Sequence, residues 1–346
     1  MRLMIYIIHV ITAICVTCFL QVFFHEVGHM LFGYFSGWRH IYLQIFKFIL
    51  IKKRKTFGIK VVTTSGCRCI MYPKNINNGA LVYTLGGLIM NTILTSCGIL
   101  GIVCFYNYPL IMIYSLSLCT SGLAIILANG LPNTKFICND MACLIFMKRD
   151  SLSRECHNHQ LMIAKHLYEG ETYRQIGKKL ICHTGSQVVN DITAYHAVLE
   201  CYYFLDNDEY KNAQNSLLKI DMSAPISKGV KDIIQMEMLY IDMLLDLLLQ
   251  KTAKLQKACY CSEMAGYIKE FEIRGDVQSD RVKATYEAYI RYTHGDTDEA
   301  MAGLKSSISE MARRSYLYPG EVLFCIDQLS GLYNLLWRDK NRTLIV

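Results

Sequence analysis

Phe23-Phe24-His25-Glu26-Val27-Gly28-His29-Met30-Leu31 decides how this chain reads, because it sets two histidines and a glutamate inside an apolar run. Residues four apart share one face of a helix, about 6 Å apart along its axis. That spacing lets His25 and His29 present two imidazoles to one zinc ion, with Glu26 facing the water beside it. A charged group near the centre of a hydrophobic span is unfavourable by roughly 2.5–3.5 kcal/mol. A divalent ion shared by all three groups compensates for that, so the motif reads as zinc chemistry at membrane depth.

The surroundings of the motif support a membrane setting. The chain has 346 residues, 52% of them hydrophobic, and a mean hydropathy of +0.22, too apolar for an ordinary soluble protein of this length. Leu3 to Phe24 carries no Lys, Arg, Asp or Glu, and neither does Asn75 to Thr134. At about 20 residues per bilayer crossing, these runs predict spans near residues 4–31, 80–105 and 110–128, with a turn at Asn107-Tyr108-Pro109. A cleaved signal peptide is disfavoured: the first run is long, no small-x-small site follows it, and the His-Glu-x-x-His motif would straddle the cut.

Charge sets the orientation. Between Trp38 and Asn78 there are nine Lys or Arg, including Lys52-Lys53-Arg54-Lys55, and no Asp or Glu, whereas residues 106–109 are uncharged. The positive-inside rule puts 38–78 in the cytoplasm and 106–109 outside, which leaves the C-terminal region cytoplasmic. The net charge of +7 comes mostly from this loop. Next to a span, such a cluster reads as a topology signal and as attraction to anionic lipid, and no nucleic-acid partner is expected. The expected location is a cell membrane of bacterial type.

Fifteen cysteines are present. Cys15, Cys18, Cys97, Cys104 and Cys119 fall within spans, where the thiol behaves as a small hydrophobe. Cys67-Arg68-Cys69 and Cys259-Tyr260-Cys261 are C-x-C pairs without a second pair at zinc-finger spacing.

A catalytic zinc site needs a third protein ligand. The first acid after Glu26 is Asp140, in Asn129-Gly130-Leu131-Pro132-Asn133-Thr134-Lys135-Phe136-Ile137-Cys138-Asn139-Asp140. It falls at the same cytoplasmic end as the motif. Asp140 also suits the N-cap of a helix over Met141–Phe146, and capping and ligation can coexist. Another reading takes the third ligand from a later helix, at Glu155 or Glu169.

With these landmarks in place, residues 5–147 resemble the site-2 protease family of intramembrane zinc metalloproteases. His25-Glu26-Val27-Gly28-His29 at the end of a span is the first match. Gly86-Gly87-Leu88-Ile89-Met90-Asn91 is similar to the family's Gly-Pro-x-x-Asn element, and Asn129-x-x-Pro132 followed by Asp140 is similar to its Asn-x-x-Pro…Asp-Gly element. The resemblance implies that His25, His29 and Asp140 ligate Zn2+, that Glu26 is the catalytic base, and that Asn91 and Asn129 lie near substrate or support the site. It implies an intramembrane endopeptidase acting on a membrane-spanning or membrane-inserted peptide. Three features depart from the family pattern: Gly87 replaces Pro, Met141 replaces Gly, and the interval from Asn129 to Asp140 is longer than usual. Residues 44–72 alternate and are rich in β-branched and aromatic types, which predicts a short hairpin or small sheet. By analogy with the family, that sheet would pair with an unwound substrate strand.

The expected fold is an α-helical membrane protein. Residues 1–150 would form a three-span, site-2-protease-like domain with a small β-hairpin insert. Residues 151–346, polar and periodic, would form a cytoplasmic all-α, tetratricopeptide-like domain. Val230 to Leu249 predicts an amphipathic helix with Ile233, Ile234, Met238, Ile241, Leu244, Leu245 and Leu248 on its apolar face. Asp206–Ala213 and His294–Ala300 each resemble the turn of a tetratricopeptide helix pair, although their spacing is not a multiple of 34. This domain would dock substrate or a protein regulator, or be a plain helical bundle. His157-Asn158-His159, His183 and His196 read as surface residues. A rival reading of the whole chain remains open: a membrane-anchored helical-repeat adaptor whose zinc site is structural or inactive.

Overall fold

The computed structural model describes residues 2–52, 57–74, 79–136, 138–182, 188–249, 266 and 276–343. His183, Cys259, Cys261 and Lys53-Arg54-Lys55 lie outside the described residues. Among the described residues the fold is mostly helical, with three helices long and apolar enough to cross a membrane and one two-stranded antiparallel sheet. The chain divides into two compact units, residues 1–60 with 66–161, and residues 61–65 with 162–346.

In the first unit, α1 (Arg2–Phe35), α2 (Ala80–Cys104) and α3 (Pro109–Gly130) pack on one another. At 1.5 Å per residue, the 34 residues of α1 extend about 51 Å, against an apolar bilayer core of about 30 Å. Large apolar side chains such as Ile7, Phe19, Ile93, Leu100 and Leu116 are exposed on these helices, as lipid-facing residues are. Small residues bring the backbones together: a Cβ added to Gly28 would overlap the carbonyl of Gly86, and one added to Gly86 would overlap the carbonyl of Gly28. The turn before α3 uses Pro109 at its first position, where the missing N–H is no loss.

Between α1 and α2 the chain forms β1 (Arg39–Lys52) and β2 (Phe57–Tyr72), paired with each other. The strands are longer than the short hairpin that alternation predicted. They begin one turn after α1 ends, at Gly37, whose φ of 78 requires glycine. After α3, an irregular segment leads to α4 (Asp140–Arg149) and α5 (Ser151–Glu169), within which the division between the units falls.

The second unit continues with α6 (Tyr173–Ile176), α7 (Lys178–Ile181), α8 (Asp191–Asp206), α9 (Tyr210–Leu218), α10 (Lys228–Leu249), α11 (Val277–Thr293), α12 (Thr297–Arg313) and α13 (Pro319–Thr343). The pairs α8–α9 and α11–α12 are helical hairpins whose turns match bond for bond. Asp208 N–H donates to Leu205 O and Glu209 N–H to Phe204 O, as Gly295 N–H does to Tyr292 O and Asp296 N–H to Arg291 O. Asp208 and Gly295 both take positive φ, 59 and 95.

Two expectations need correction here. The apolar face of α10 is broader than predicted: Ile234, Ile241 and Leu244 are buried and Ile233, Met238 and Leu245 pack on the core as expected, but Met236, Tyr240, Met243 and Leu247 are buried too, and Leu248 is 39% exposed. Glu237 lies on this buried side as well, where it pairs with Arg281. Asn158, His159 and His196 are buried, not surface residues. His196 belongs to α8, which is buried along almost its whole length and so carries no solvent face.

Candidate metal centre

The helical spacing of the motif does what it promised: His25 and His29 stand on one face of α1 with Nε2 atoms 3.2 Å apart. Asp140 meets them there. Its Oδ2 lies 2.9 Å from His25 Nε2 and 3.3 Å from His29 Nε2. Asp140 reaches this position because it is not the cap of its helix. Asn139 caps α4 instead, accepting from Ala142 N–H at 3.1 Å. The Asn139 amide also donates to Ala128 O and Leu131 O, both at 2.7 Å, and so ties the segment before α4 to the end of α3. Capping falls to Asn139, and the Asp140 carboxylate is left for the imidazoles.

The ring tautomers follow from a chain of hydrogen bonds across the three helices. Gln21 Nε2 donates to Leu118 O on α3 at 3.1 Å, so its Oε1 faces α2. Asn91 Nδ2 donates to that Oε1 at 2.7 Å and to Gln21 O at 2.8 Å. The Asn91 Oδ1 is thereby turned toward His25, whose Nδ1 donates to it at 2.5 Å. His29 Nδ1 donates to Tyr83 O at 2.8 Å. Each ring therefore carries its proton on Nδ1 and turns the Nε2 lone pair toward Asp140. Anchoring the far ring nitrogen in this way is how ligating histidines are held in other metal sites.

Two lone pairs and a carboxylate oxygen now converge. Protons cannot settle the conflict well. Protonating both Nε2 atoms would place two imidazolium rings with N–H groups 3.2 Å apart in a buried site. A cation settles it. Ligands on a tetrahedral zinc with bonds of about 2.0–2.1 Å stand about 3.3–3.4 Å apart. The three separations here, 2.9, 3.2 and 3.3 Å, fit that triangle, and the nitrogen–nitrogen–oxygen donor set suits the metal. Among the described residues, Glu155 is exposed and Glu169 pairs with Lys165, so neither shares the site.

The centre opens into a cavity of about 560 Å³ within the first unit, also lined by Glu26, Asn129, His157 and residues 67–70 of β2. The Glu26 carboxyl accepts a hydrogen bond from Cys69 N–H, and Tyr83 OH donates to Cys69 O. Strand β2 is thus fixed at Cys69 both to the glutamate and to the residue that orients His29. A Cβ on Gly87 would overlap the His25 ring, so glycine there lets the imidazole lie flat on α2. Cys67, Cys69, Cys138 and Cys143 line the cavity but do not join the converging atoms.

Sequence reasoning missed three contributors. Gln21 stands four residues before His25, and the series 21, 25, 29 on one helix face was its signal. Tyr83 acts through its backbone carbonyl, which leaves no sequence trace. His157, expected at the surface, lines the cavity, and burial pushes its pKa down to about 4. Comparison with protein-family models, curated proteins and solved structures finds no match to this chain.

Proposed function

We propose that the protein is an intramembrane zinc metalloendopeptidase, similar in plan to site-2 proteases, that cuts a membrane-spanning or membrane-inserted peptide. The observation that carries this reading is the meeting of His25 Nε2, His29 Nε2 and Asp140 Oδ2, with both ring tautomers fixed by their far-side hydrogen bonds. A zinc ion held there would polarise a peptide carbonyl and make a nearby water more acidic. Glu26, in the same cavity, takes the proton from that water and passes it to the leaving amine. Asn91 acts on the chemistry only through His25. Asn129, at the end of α3, lines the same cavity and would hydrogen-bond the substrate backbone. The irregular backbone after Gly130 gives room for a peptide that must unwind before its carbonyl is open to attack. Strand β2 offers that unwound segment an edge to lie against.

The orientation follows from charge: the basic 38–78 insert and the C-terminal unit are cytoplasmic in a bacterial-type membrane. The paired helical hairpins of the second unit suit docking of substrate or a regulator. Peptide profiling of cells carrying the wild type against Glu26→Gln tests the function, with zinc content measured on both purified chains. The expected result is equal zinc and loss of a defined set of peptide products in the variant. Identical peptide profiles would overturn the protease reading and favour a membrane-anchored adaptor with a structural zinc.

A further inference from the structure

The thiols of Cys138 and Cys143 meet at 3.0 Å, Sγ to Sγ, beside the candidate metal centre. The contact follows from the way α4 starts. Asn139 is the cap, so Cys138 is the residue before the cap and Cys143 the fourth residue of the helix. Side chains at those two positions pack together across a helix start, usually as an apolar pair. Here both are cysteine, half-buried and not bridged. Closing the gap to the length of a disulfide, about 2.05 Å, needs the sulfurs to move by only about 1 Å. The pair brackets Asn139 and Asp140. Asn139 ties this turn to Ala128 O and Leu131 O, and Asp140 brings its carboxylate to His25 and His29. The sulfurs therefore touch in the same arrangement of the turn that delivers the third ligand. A bond between them holds the turn in that arrangement, because a short closed loop has few others.

We propose that Cys138 and Cys143 are a reversible redox modification site, whose disulfide locks Asp140 onto the metal centre and tightens its hold on zinc. This rests on the zinc reading of His25, His29 and Asp140. The oxidant is a low-molecular-weight disulfide. One protein thiol attacks it, which forms a mixed disulfide and releases one small thiol. The second protein thiol attacks the mixed disulfide, which closes the Cys138–Cys143 bond and releases the other. Two protein thiols are oxidised and one external disulfide is reduced to two thiols. In a reducing compartment the pair rests as the dithiol, and the bridge forms only under oxidative load. The coupling is reciprocal: the bridge strengthens zinc binding by the same factor by which bound zinc favours the bridge.

The test uses the purified full chain in detergent, loaded with zinc or stripped by a chelator, and equilibrated with glutathione and its disulfide over a range of ratios. Free thiols are then blocked. Trypsin cuts after Lys135 and Lys148 and leaves both cysteines on one peptide, residues 136–148, whose bridged form is unblocked and lighter by two hydrogens. The equilibrium constant for the bridge should be about tenfold larger in the zinc-loaded chain, and competition with a chromophoric chelator should show zinc bound about tenfold more tightly after oxidation. Cys143→Ser should bind zinc as the reduced wild type does and should not respond to the oxidant, which separates this pair from Cys67 and Cys69. A zinc-loaded chain whose 136–148 peptide stays unbridged in fully oxidised glutathione overturns the proposal. So does a bridge that leaves zinc affinity unchanged, or an oxidant effect that survives Cys143→Ser. A chain that binds no zinc ends the metal-centre reading and the coupling with it; the peptide mass is read without metal, so the two failures are distinct.

Discussion

Each unit of this protein buries charged or polar groups deep in a helical bundle, and the two do so in opposite ways. In the second unit, Arg281 and Glu237 are both fully buried and complete one another. Arg281 Nη2 donates to the two Glu237 oxygens at 2.7 and 2.6 Å, and Arg281 Nε donates to Gln278 Oε1 at 3.0 Å. Tyr202 OH donates to Glu237 at 3.0 Å, and the guanidinium carbon lies 3.8 Å from the centre of the Tyr240 ring. The two charges cancel, and although Arg281 Nη1 and Gln278 Nε2 are buried without a hydrogen-bond partner, the cluster calls for no added ion. In the first unit the hydrogen-bond chain from Leu118 through Gln21 and Asn91 to His25 is equally well ordered, yet it ends with acceptors facing acceptors. A buried network whose charges cancel holds a fold together, and one that ends on converging lone pairs is built around something that must be added.

Breaking each network should therefore give different losses. Glu237→Ala leaves the Arg281 charge buried without a partner and should destabilise the second unit by about 3–5 kcal/mol, read by chemical denaturation, with zinc content untouched. A comparable loss of zinc in this variant would erase the distinction between the two regions. Gln21→Leu should leave the helices packed but remove one of the two acceptors that hold the Asn91 amide. Zinc affinity should fall about 10–100-fold, measured by competition with a chromophoric chelator. An affinity equal to wild type would show that the chain of hydrogen bonds does not orient His25. Asn139→Ala removes a helix cap and two bonds to the end of α3, worth about 1 kcal/mol for the cap alone. It should weaken zinc binding less than Gln21→Leu does, because Asp140 keeps its place through α4. A larger effect than Gln21→Leu would make the segment before α4, rather than the histidine support, the weak point of the site.

The sequence carried the parts of this account that depend on one-dimensional pattern. Uncharged runs gave the three apolar helices, because long, apolar, charge-free stretches have few other stable forms. The His-Glu-x-x-His spacing placed two imidazoles together, because helical periodicity is rigid over one turn. Asp140 was legible as the first acid after Glu26. The turns at 206–213 and 294–300 were legible because a tight helical hairpin restricts residue choice. What escaped notice depends on contacts distant in sequence. Gln21 meets Asn91 across 70 positions, and Tyr83 serves through a carbonyl that any residue possesses. The wider buried side of α10 escaped because hydrophobicity alone excludes Glu237 from an interior that Arg281 makes hospitable. The cap at Asn139 was assigned one residue late, to Asp140, since both residue types cap helices equally well.

The central claim is that His25, His29 and Asp140 hold one zinc ion. Zinc-edge X-ray absorption on the purified full chain, with metal content measured alongside, tests it most directly. The account predicts one zinc per chain in a shell of nitrogen and oxygen with two imidazoles, lost in Asp140→Ala. A chain without stoichiometric zinc, or a shell containing sulfur from the cysteines that line the same cavity, would contradict it.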